Sequence, residues 1–483
     1  MKVKLVLTEN ICKAEPLTED IKSLCTNTRV SREYKNGRAE IENKEEPLYV
    51  PVKGTGNGLV YAGLFPRIRD LLDKKGIEYT VEDQRPELPE VDYSRIRGKL
   101  LPGQAETVAA VVSHYKGIVK LPTASGKTQL IAYLTELYRG ISKVLIVSSD
   151  SSVLRGINDR IKDVGEGKGY ILNKDTDFNP KVDYIVASSR SLHKLEGNWP
   201  DIIFYDEVHG AGSPDTSHQL SCFKDCRMFG FSATPSGRSD GSELVIEALF
   251  GPIIVNNSYT QARKSGVVCP IRVYMVPVMG GFGNASSKKM DVARDRNGIW
   301  RNNIRQNILA EIAREIPEDE KVVIMTVTAE HVFRIHKLLP EFQVAHSGLT
   351  DTRFNQFVKW GLVDKNDKAA KNPNVSEIEK EFRNGGIKKV ICTGVWKQGV
   401  DFPDLGFMIR ADGKRGAITS IQIGGRLSRT DGGRKKLGVL IDFYDMEDIF
   451  EGRSKDRIRH YKKEGWEIVH GRPDFNKILT EMY

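Results

Sequence analysis

Short apolar runs recur along this chain, and stretches of helical character separate several of them. In the first half they are Gly117 to Leu121, Lys143 to Ser148, Val182 to Ala187, Ile202 to Tyr205 and Met228 to Ser232. A strand covered on both faces reads as a continuous apolar run, and parallel strands need a long crossover between them. The alternation therefore predicts a parallel sheet with helices on both faces. It restarts near residue 301 with a helical stretch, Asn303 to Ile316. Further runs follow at Lys321 to Val327, Phe342 to His346, Lys389 to Cys392, Phe407 to Arg410 and Leu437 to Ile441. Two α/β domains are expected, at 96–270 and 301–450. The glycine-rich and polar segment 271–300 reads as a linker, and 451–483 as a basic tail. Residues 1–95 read as a small α/β accessory module, in which Lys2 to Leu7 alternates like a strand and Pro66 opens a helix ended by Gly76. The absence of a short-period repeat excludes a solenoid.

The first domain carries the most specific chemistry. Leu121-Pro122-Thr123-Ala124-Ser125-Gly126-Lys127-Thr128 follows an apolar strand and precedes an apolar helix. In that context its backbone N–H groups and the helix N-terminus suit a polyphosphate. Thr123, Ala124, Ser125 and Gly126 would line the loop, Lys127 would reach the β- and γ-phosphates, and Thr128 would offer its hydroxyl to Mg²⁺. Leu121 stands where the first glycine of such a loop usually lies. Downstream, Ile202 to Tyr205 ends in Asp206 and Glu207. Asp206 is placed to hold Mg²⁺, and Glu207 to orient and deprotonate the attacking water. Gln104 lies just before the helix leading into the phosphate-loop strand, and its amide offers the donor and acceptor that adenine requires.

The bulk properties narrow the class further. The formal charge is +9 and the pI about 9.0. The excess lies in stretches such as Arg426 to Lys436 and Arg453 to Lys463, which favours a polyanionic partner. Six scattered cysteines, of which only Cys222 and Cys226 are close, read as reduced thiols rather than a metal site. The N-terminus lacks a signal-peptide apolar run, and no stretch approaches the ~20 apolar residues that span a bilayer. A soluble protein of the cytoplasm is expected, of the host cytoplasm if phage-encoded.

Taken in order, Gln104, Gly126-Lys127-Thr128 (Walker A), Asp206-Glu207-Val208-His209 (a DEVH box), Ser232-Ala233-Thr234, Thr393 to Asp401 and Gln422 to Arg429 resemble a superfamily-two helicase over residues 96–450. The resemblance implies two tandem RecA-like domains and ATP with Mg²⁺ as cofactors. It assigns Ser232 and Thr234 to coupling, His209 to linking the acid pair with the second domain through Gln422, and Gly399 and Asp401 to the ribose and cleft. Arg426 and Arg429 match the arginines that reach the γ-phosphate, where a planar, always-charged guanidinium suits phosphate oxygens. Their i, i+3 spacing also fits a basic helix face binding backbone phosphate. Within the superfamily the chain is most similar to phage recombination helicases of the UvsW type, with XPB and RecG relatives. That implies DNA as partner, probed as forks, junctions and displacement loops during recombination, repair, branch migration or replication, by an enzyme acting as a monomer.

Motors of this class hold a strand by its backbone. Expected contacts are Ser148 and Ser149 (in a run to Ser151), Ser189 and Arg190, Thr326, Thr393 and Trp396, although Trp396 also suits plain core packing. Residues 351–376 read as an insertion. Phe357 and Trp360 there could form a junction wedge, but a small helix packed on the core with a loop after it is the favoured reading. Three alternative functions stay open: a translocase subunit without unwinding, an RNA helicase, and a non-hydrolysing nucleotide-gated clamp.

Overall fold

The structure, a computed structural model, describes residues 2–483 except 36–37, 150–152, 196–198, 236–239, 284, 286–290 and 397–401; side chains are also left undescribed at 31–41, 291 and 417–419. Two compact units form, one over residues 1–35 and 39–258 and the other over 259–483.

The first unit begins with the small module. Its five-stranded sheet runs in the order Tyr49–Pro51, Gly58–Tyr61, Ile11–Glu15, Val3–Leu7, Tyr79–Asp83. Val3, Leu5 and Leu7 alternate inward, which is the period-two signal of a half-buried strand. The helix Phe65–Lys75 starts with Pro66 in its first turn and stops at Gly76, whose φ of 63° is open to a residue without Cβ. Ile68 and Leu72, four apart on one face, are both fully buried.

A seven-stranded parallel sheet completes this unit, in the order Gly169–Leu172, Tyr184–Ser188, Val144–Ser148, Ile202–Asp206, Arg227–Ser232, Lys116–Lys120, Ile253–Asn256. The five apolar runs read from the sequence supply its centre. Both edge strands escaped that reading because they are only partly buried. The register sets Ser148 opposite Ser188 and Asp206, and Ser232 opposite Lys120, so these residues share the carboxyl edge of the sheet.

The second unit holds another parallel sheet of seven strands, in the order Gln343–Ala345, Lys389–Cys392, Val322–Met325, Phe407–Arg410, Gly438–Asp445, Ile271–Val278, Glu467–His470. Two expectations change here. The segment 271–300 is not all linker. Ile271–Val278 is a strand between two others, with Ile271, Val273 and Met275 buried. Residues 451–483 are not a tail either. They complete the helix Asp448–Lys463 and add the edge strand Glu467–His470 and the helix Phe475–Met482, whose Ile478 and Met482 are fully buried.

Two basic residues of that region, Arg457 and Arg453, join other cations of the unit in ion pairs inside the fold. Arg457 is fully buried, and its Nε lies 2.8 Å from Asp442 Oδ2, which also accepts from the Tyr461 hydroxyl at 2.8 Å. Arg410 donates to Tyr461 at 2.8 Å and pairs with Asp412 at 2.6 Å. Arg305 pairs with Asp445 at 2.9 Å. Burial disfavours each charge, so the network stands only because the partners face one another with further hydrogen bonds. Arg453 and Lys414 both close on buried Asp295.

The 351–376 segment packs rather than projects. The helix Asp351–Lys359 buries Phe354 and Phe357 against Phe333, Leu349 and Ala370. The polar run after it contains a short helix, Lys368–Lys371, started by the Asp367 side chain, instead of a plain loop. Trp360 remains 38% exposed, tilted on Phe357 and carrying the Arg301 guanidinium 5.2 Å from its ring centre.

Two stability outcomes are expected. Arg457→Leu, which strands Asp442 beside Tyr461, should cost about 3–5 kcal/mol, seen as a lower urea midpoint. Phe357→Ala should cost about 3–5 kcal/mol in the same measurement, since it empties a packed cluster; a loss under 1 kcal/mol would contradict the packing described.

Candidate functional site

The phosphate loop lies between the strand Lys116–Lys120 and the helix Lys127–Leu137. Ala124 and Gly126 both take left-handed backbone, with φ of 68° and 78°. Two such residues in a short loop curl its N–H groups inward, and the first N–H groups of the helix have no intrahelical partner. The loop is thus an anion cradle whose polarity matches a polyphosphate. The Ser125 hydroxyl is turned away from it, donating to the Pro122 carbonyl at 2.7 Å.

Leu121, the odd residue at the usual glycine position, has a structural reason. Its N–H donates to the Ser232 carbonyl at 3.1 Å and its side chain is 3% exposed in the core. The chain at that point is still paired with the sheet, with no left-handed turn that would need glycine.

Gln104 lies against the phosphate loop. Its side chain is buried, donating to the carbonyls of Ser125 and Gly126 at 3.2 and 3.4 Å while its own carbonyl accepts from the Leu101 N–H at 2.9 Å. Both ends of the amide are engaged with backbone, so here it braces the phosphate loop. A Cβ at Gly126 would sit 2.8 Å from its Nε2. Glycine is therefore favoured there by φ, and a Cβ would also push against the Gln104 amide.

Asp206 ends its strand and Glu207 leaves it in left-handed backbone, φ 55° and ψ 59°. A non-glycine residue in that region is strained, and such strain is typically retained where geometry matters for function. One Glu207 carboxylate oxygen lies 3.8 Å from Lys127 Nζ. The other accepts from the Ser232 hydroxyl at 2.9 Å and lies 3.4 Å from His209 Nδ1. Ser232 Oγ in turn accepts from the Thr234 N–H at 3.1 Å and is 3.3 Å from His209 Nδ1. Three separate sequence segments thus meet at one carboxylate.

Their electrostatics divide the two acids. Burial pushes the Asp206 carboxyl up, and the neighbouring Glu207 charge adds to it. For Glu207 burial acts the same way, but the Lys127 ammonium, then His209 and the Ser232 hydroxyl, outweigh it and hold the group below the usual carboxylate range. Glu207 is kept ionised. Asp206 becomes a full carboxylate most readily when a cation sits against it, as a metal ligand would.

The expected strand contacts fare unevenly. Ser149 and Arg190 are exposed at the carboxyl ends of adjacent strands. Ser149 Oγ and the Tyr205 hydroxyl are 2.6 Å apart, a pairing that the lone phenol in the run Ile202 to Tyr205 could have signalled. Ser148 and Ser189 are buried, at 2% and 8% exposure, and do not present their side chains. In the second unit Thr326 is fully buried, its hydroxyl donating to the Cys392 carbonyl at 3.1 Å. Thr393, 9% exposed, donates its N–H to the Ala345 carbonyl. Trp396 is core: it packs edge-on to Phe402 at 5.1 Å and against Phe382 at 5.4 Å. Gly399 and Asp401 lie outside the described residues, as do Asp150, Ser151, Asn36 and Gly37.

Gln422 lies on the helix Ala417–Gly425, which ends before Arg426. Arg426 opens a single 3-10 turn and Arg429 follows in extended backbone, φ −69° and ψ 142°. The two arginines therefore do not share an α-helical face. The helix stops here under close packing on both sides: a Cβ at Gly424 would meet the Trp466 ring, and one at Gly438 would meet the Leu427 carbonyl.

Comparisons with known proteins fit this arrangement. Residues 97–237 match the type III restriction enzyme res subunit family, and residues 305–431 match the helicase conserved C-terminal domain. The chain is 24% identical over 427 residues to the DNA 3'-5' translocase XPB2 of Sulfurisphaera tokodaii, covering 84% of this chain and 94% of that one. It is 22% identical over 466 residues to the ATP-dependent DNA helicase uvsW of Enterobacteria phage T4, covering 88% and 87%. Among solved structures, S. cerevisiae Dbp5 bound to RNA and ADP BeF3 shares the fold, with a TM-score of 0.52 at 15% identity over 80% of this chain and 94% of that one.

A pH outcome follows from the Glu207 contacts. The Ser232 hydroxyl stabilises the ionised carboxylate, so Ser232→Ala should raise the Glu207 pKa. The acid limb of the pH–rate profile for triphosphate hydrolysis should then move to higher pH, with turnover falling roughly 10-fold to 100-fold at neutral pH. An acid limb that stays put would remove Ser232 from this role.

Proposed function

The chain belongs to the superfamily-two helicases, and we propose that it is an ATP-hydrolysing DNA helicase or translocase whose preferred substrates are branched: forks, four-way junctions and displacement loops. The observation that carries the reading is the meeting of Lys127, Glu207, Ser232, Thr234 and His209 at the carboxyl edge of one parallel sheet. Open α/β sheets bind ligands at that edge.

In this reading the loop from Thr123 to Thr128 holds the triphosphate by backbone N–H groups, and Lys127 balances charge on its outer phosphates. Mg²⁺, when bound by Asp206 and Thr128, supplies neutralisation of phosphate charge. Glu207, ionised and oriented by Ser232 and His209, accepts a proton from the attacking water. Arg426 and Arg429 supply positive charge to the transition state, a contribution worth roughly 10³–10⁵ in rate where such fingers act. Ser232 and Thr234 lie one and three residues beyond the sheet's carboxyl edge partner Phe231; the Ser232 hydroxyl donates to Glu207 and accepts from the Thr234 N–H, and this chain ties hydrolysis to the loop that follows them. Ser149 and Arg190 contribute backbone-phosphate contacts.

The branched preference rests on the near full-length similarity to a phage helicase and an archaeal translocase, and on the small module ahead of the core. Action as a monomer in the cytoplasm completes the reading; no helix among the described residues is long and apolar enough to cross a membrane.

Paired ATPase and strand-separation assays on fork, four-way junction, displacement loop, linear duplex and RNA test it. Branched DNA should stimulate turnover most, and Glu207→Gln should bind nucleotide but not turn it over. Arg426→Ala and Arg429→Ala should each lower kcat by roughly 10³-fold or more with little change in nucleotide affinity. Stronger stimulation by RNA would favour an RNA remodeller, and ATPase without strand separation a translocase subunit.

A further inference from the structure

The strand Thr26–Lys35 leaves the small module and rests on the segments that follow both motifs at the Glu207 carboxylate. Arg29, 15% exposed, donates from Nη1 to the Gly212 carbonyl at 3.0 Å. Its Nε donates to Glu46 Oε2 at 3.0 Å, from the returning strand Arg38–Pro47. The carboxylate fixes one side of the planar fork and so aims the other at Gly212. One residue on, the Val30 N–H donates to the Asp240 carbonyl at 2.9 Å.

Neither landing point is an inert surface. Gly212 closes the 3-10 segment Val208–Gly212, which begins directly after Glu207 and contains His209. Asp240 lies beyond Thr234 in the segment after Ser232, and its carboxylate accepts from the Ser242 N–H and hydroxyl at 3.2 and 2.8 Å. The pieces are fitted together tightly. A Cβ at Gly212 would overlap the Ser242 hydroxyl, and one at Gly241, φ +69°, would overlap the Thr28 carbonyl oxygen. One strand of the module therefore pins the far ends of two segments whose near ends carry Glu207 and Ser232.

The pinning has a mechanical consequence. Glu207 sits in strained left-handed backbone, which persists only when its surroundings over-determine it. The segment from Val208 to Gly212 is held at its start by the sheet and at its end by the Arg29 guanidinium. We propose that Arg29 is a positioning residue for hydrolysis, acting through Gly212 to hold the Glu207 carboxylate in line for the water, so that the small module sets the rate of the ATP site. This rests on the reading of Glu207 as the base.

Steady-state ATPase of the full chain tests it, with and without fork DNA. Arg29→Ala should lower kcat roughly 10-fold to 100-fold, the scale of a small misplacement of a reacting group, while KM for ATP changes little. Arg29→Lys, whose ammonium can still reach the Gly212 carbonyl, should recover much of the loss. Gly241→Ala, which displaces the same strand at the Thr28 carbonyl without altering the Arg29 side chain, should reproduce it. Arg67→Ala is the control: it removes a two-point contact from the module to Glu247, at 2.5 and 2.7 Å, that does not touch the 208–212 segment. It should leave kcat near wild type. A wild-type kcat in Arg29→Ala, or an equal fall in Arg67→Ala, overturns the proposal. If Glu207→Gln still turns over ATP, the reading of the base fails; if Glu207→Gln is dead and Arg29→Ala is normal, only the role of Arg29 fails.

Discussion

The Glu207 carboxylate is the point on which the first unit's chemistry depends. A buried carboxylate is expensive unless it is paired and hydrogen-bonded. Here the pairing comes from Lys127 at the phosphate-loop helix, and the hydrogen bond from Ser232 on the next strand. Each partner thereby acquires a reason for its position. Lys127 bridges from the loop to the acid strand, and the Ser232 hydroxyl, at once donor and acceptor, relays the carboxylate to the Thr234 backbone. A change in what Lys127 faces, as when a phosphate takes up its charge, alters the balance at Glu207 and so at Ser232. In the proposed reading this would couple nucleotide state to the loop beyond Thr234.

The two seven-stranded sheets solve the same problem with different interiors. The first is mostly apolar, with Phe229 and Phe231 each packed on Phe204, and its buried Arg227 is held by backbone carbonyls and the Tyr138 hydroxyl. The second places Arg305, Arg410 and Arg457 with three aspartates at fully or nearly fully buried positions. Charged networks contribute little net stability against a well-packed apolar alternative, but they tolerate few arrangements. The helix Asp448–Lys463 is thereby held on its sheet by Arg457 and Tyr461, and the strand ends Arg410 and Asp445 are held in turn.

Much of this was legible beforehand, for a physical reason. Central parallel strands must be apolar on both faces, so they announce themselves as runs. Gly-Lys-Thr and the acid pair follow such runs at their carboxyl ends. Edge strands lack that signal: Gly169–Leu172 and Ile253–Asn256 are half-covered and their sequences are ambiguous. Ile271–Val278 was hidden by Pro270 and Pro277 and by the glycines after it, although it lies inside its sheet, where Val439 and Leu440 line up with Arg272 and Val273. Side chains near the carboxyl edge were harder to place. A hydroxyl such as Thr326 can serve a neighbouring carbonyl as readily as a ligand, and only coordinates show which. Trp396 could be either platform or core, and the nearby Phe382 and Phe402 settle it as core. The basic stretch after Arg453 looked like a polyanion surface because composition cannot show that Asp442, in an apolar strand, awaits Arg457 from the opposite side.

The left-handed turn at Glu207 has an evolutionary corollary. Left-handed backbone costs an ordinary residue roughly 1–2 kcal/mol, whereas glycine or asparagine tolerates it. In the proposed reading the fold carries that load because hydrolysis requires a carboxylate at this spot. In any lineage released from the need to hydrolyse nucleotide, drift at this codon would have a downhill direction. A silent descendant should be sturdier than its working ancestor, and it should betray its retirement at this residue before any other motif decays.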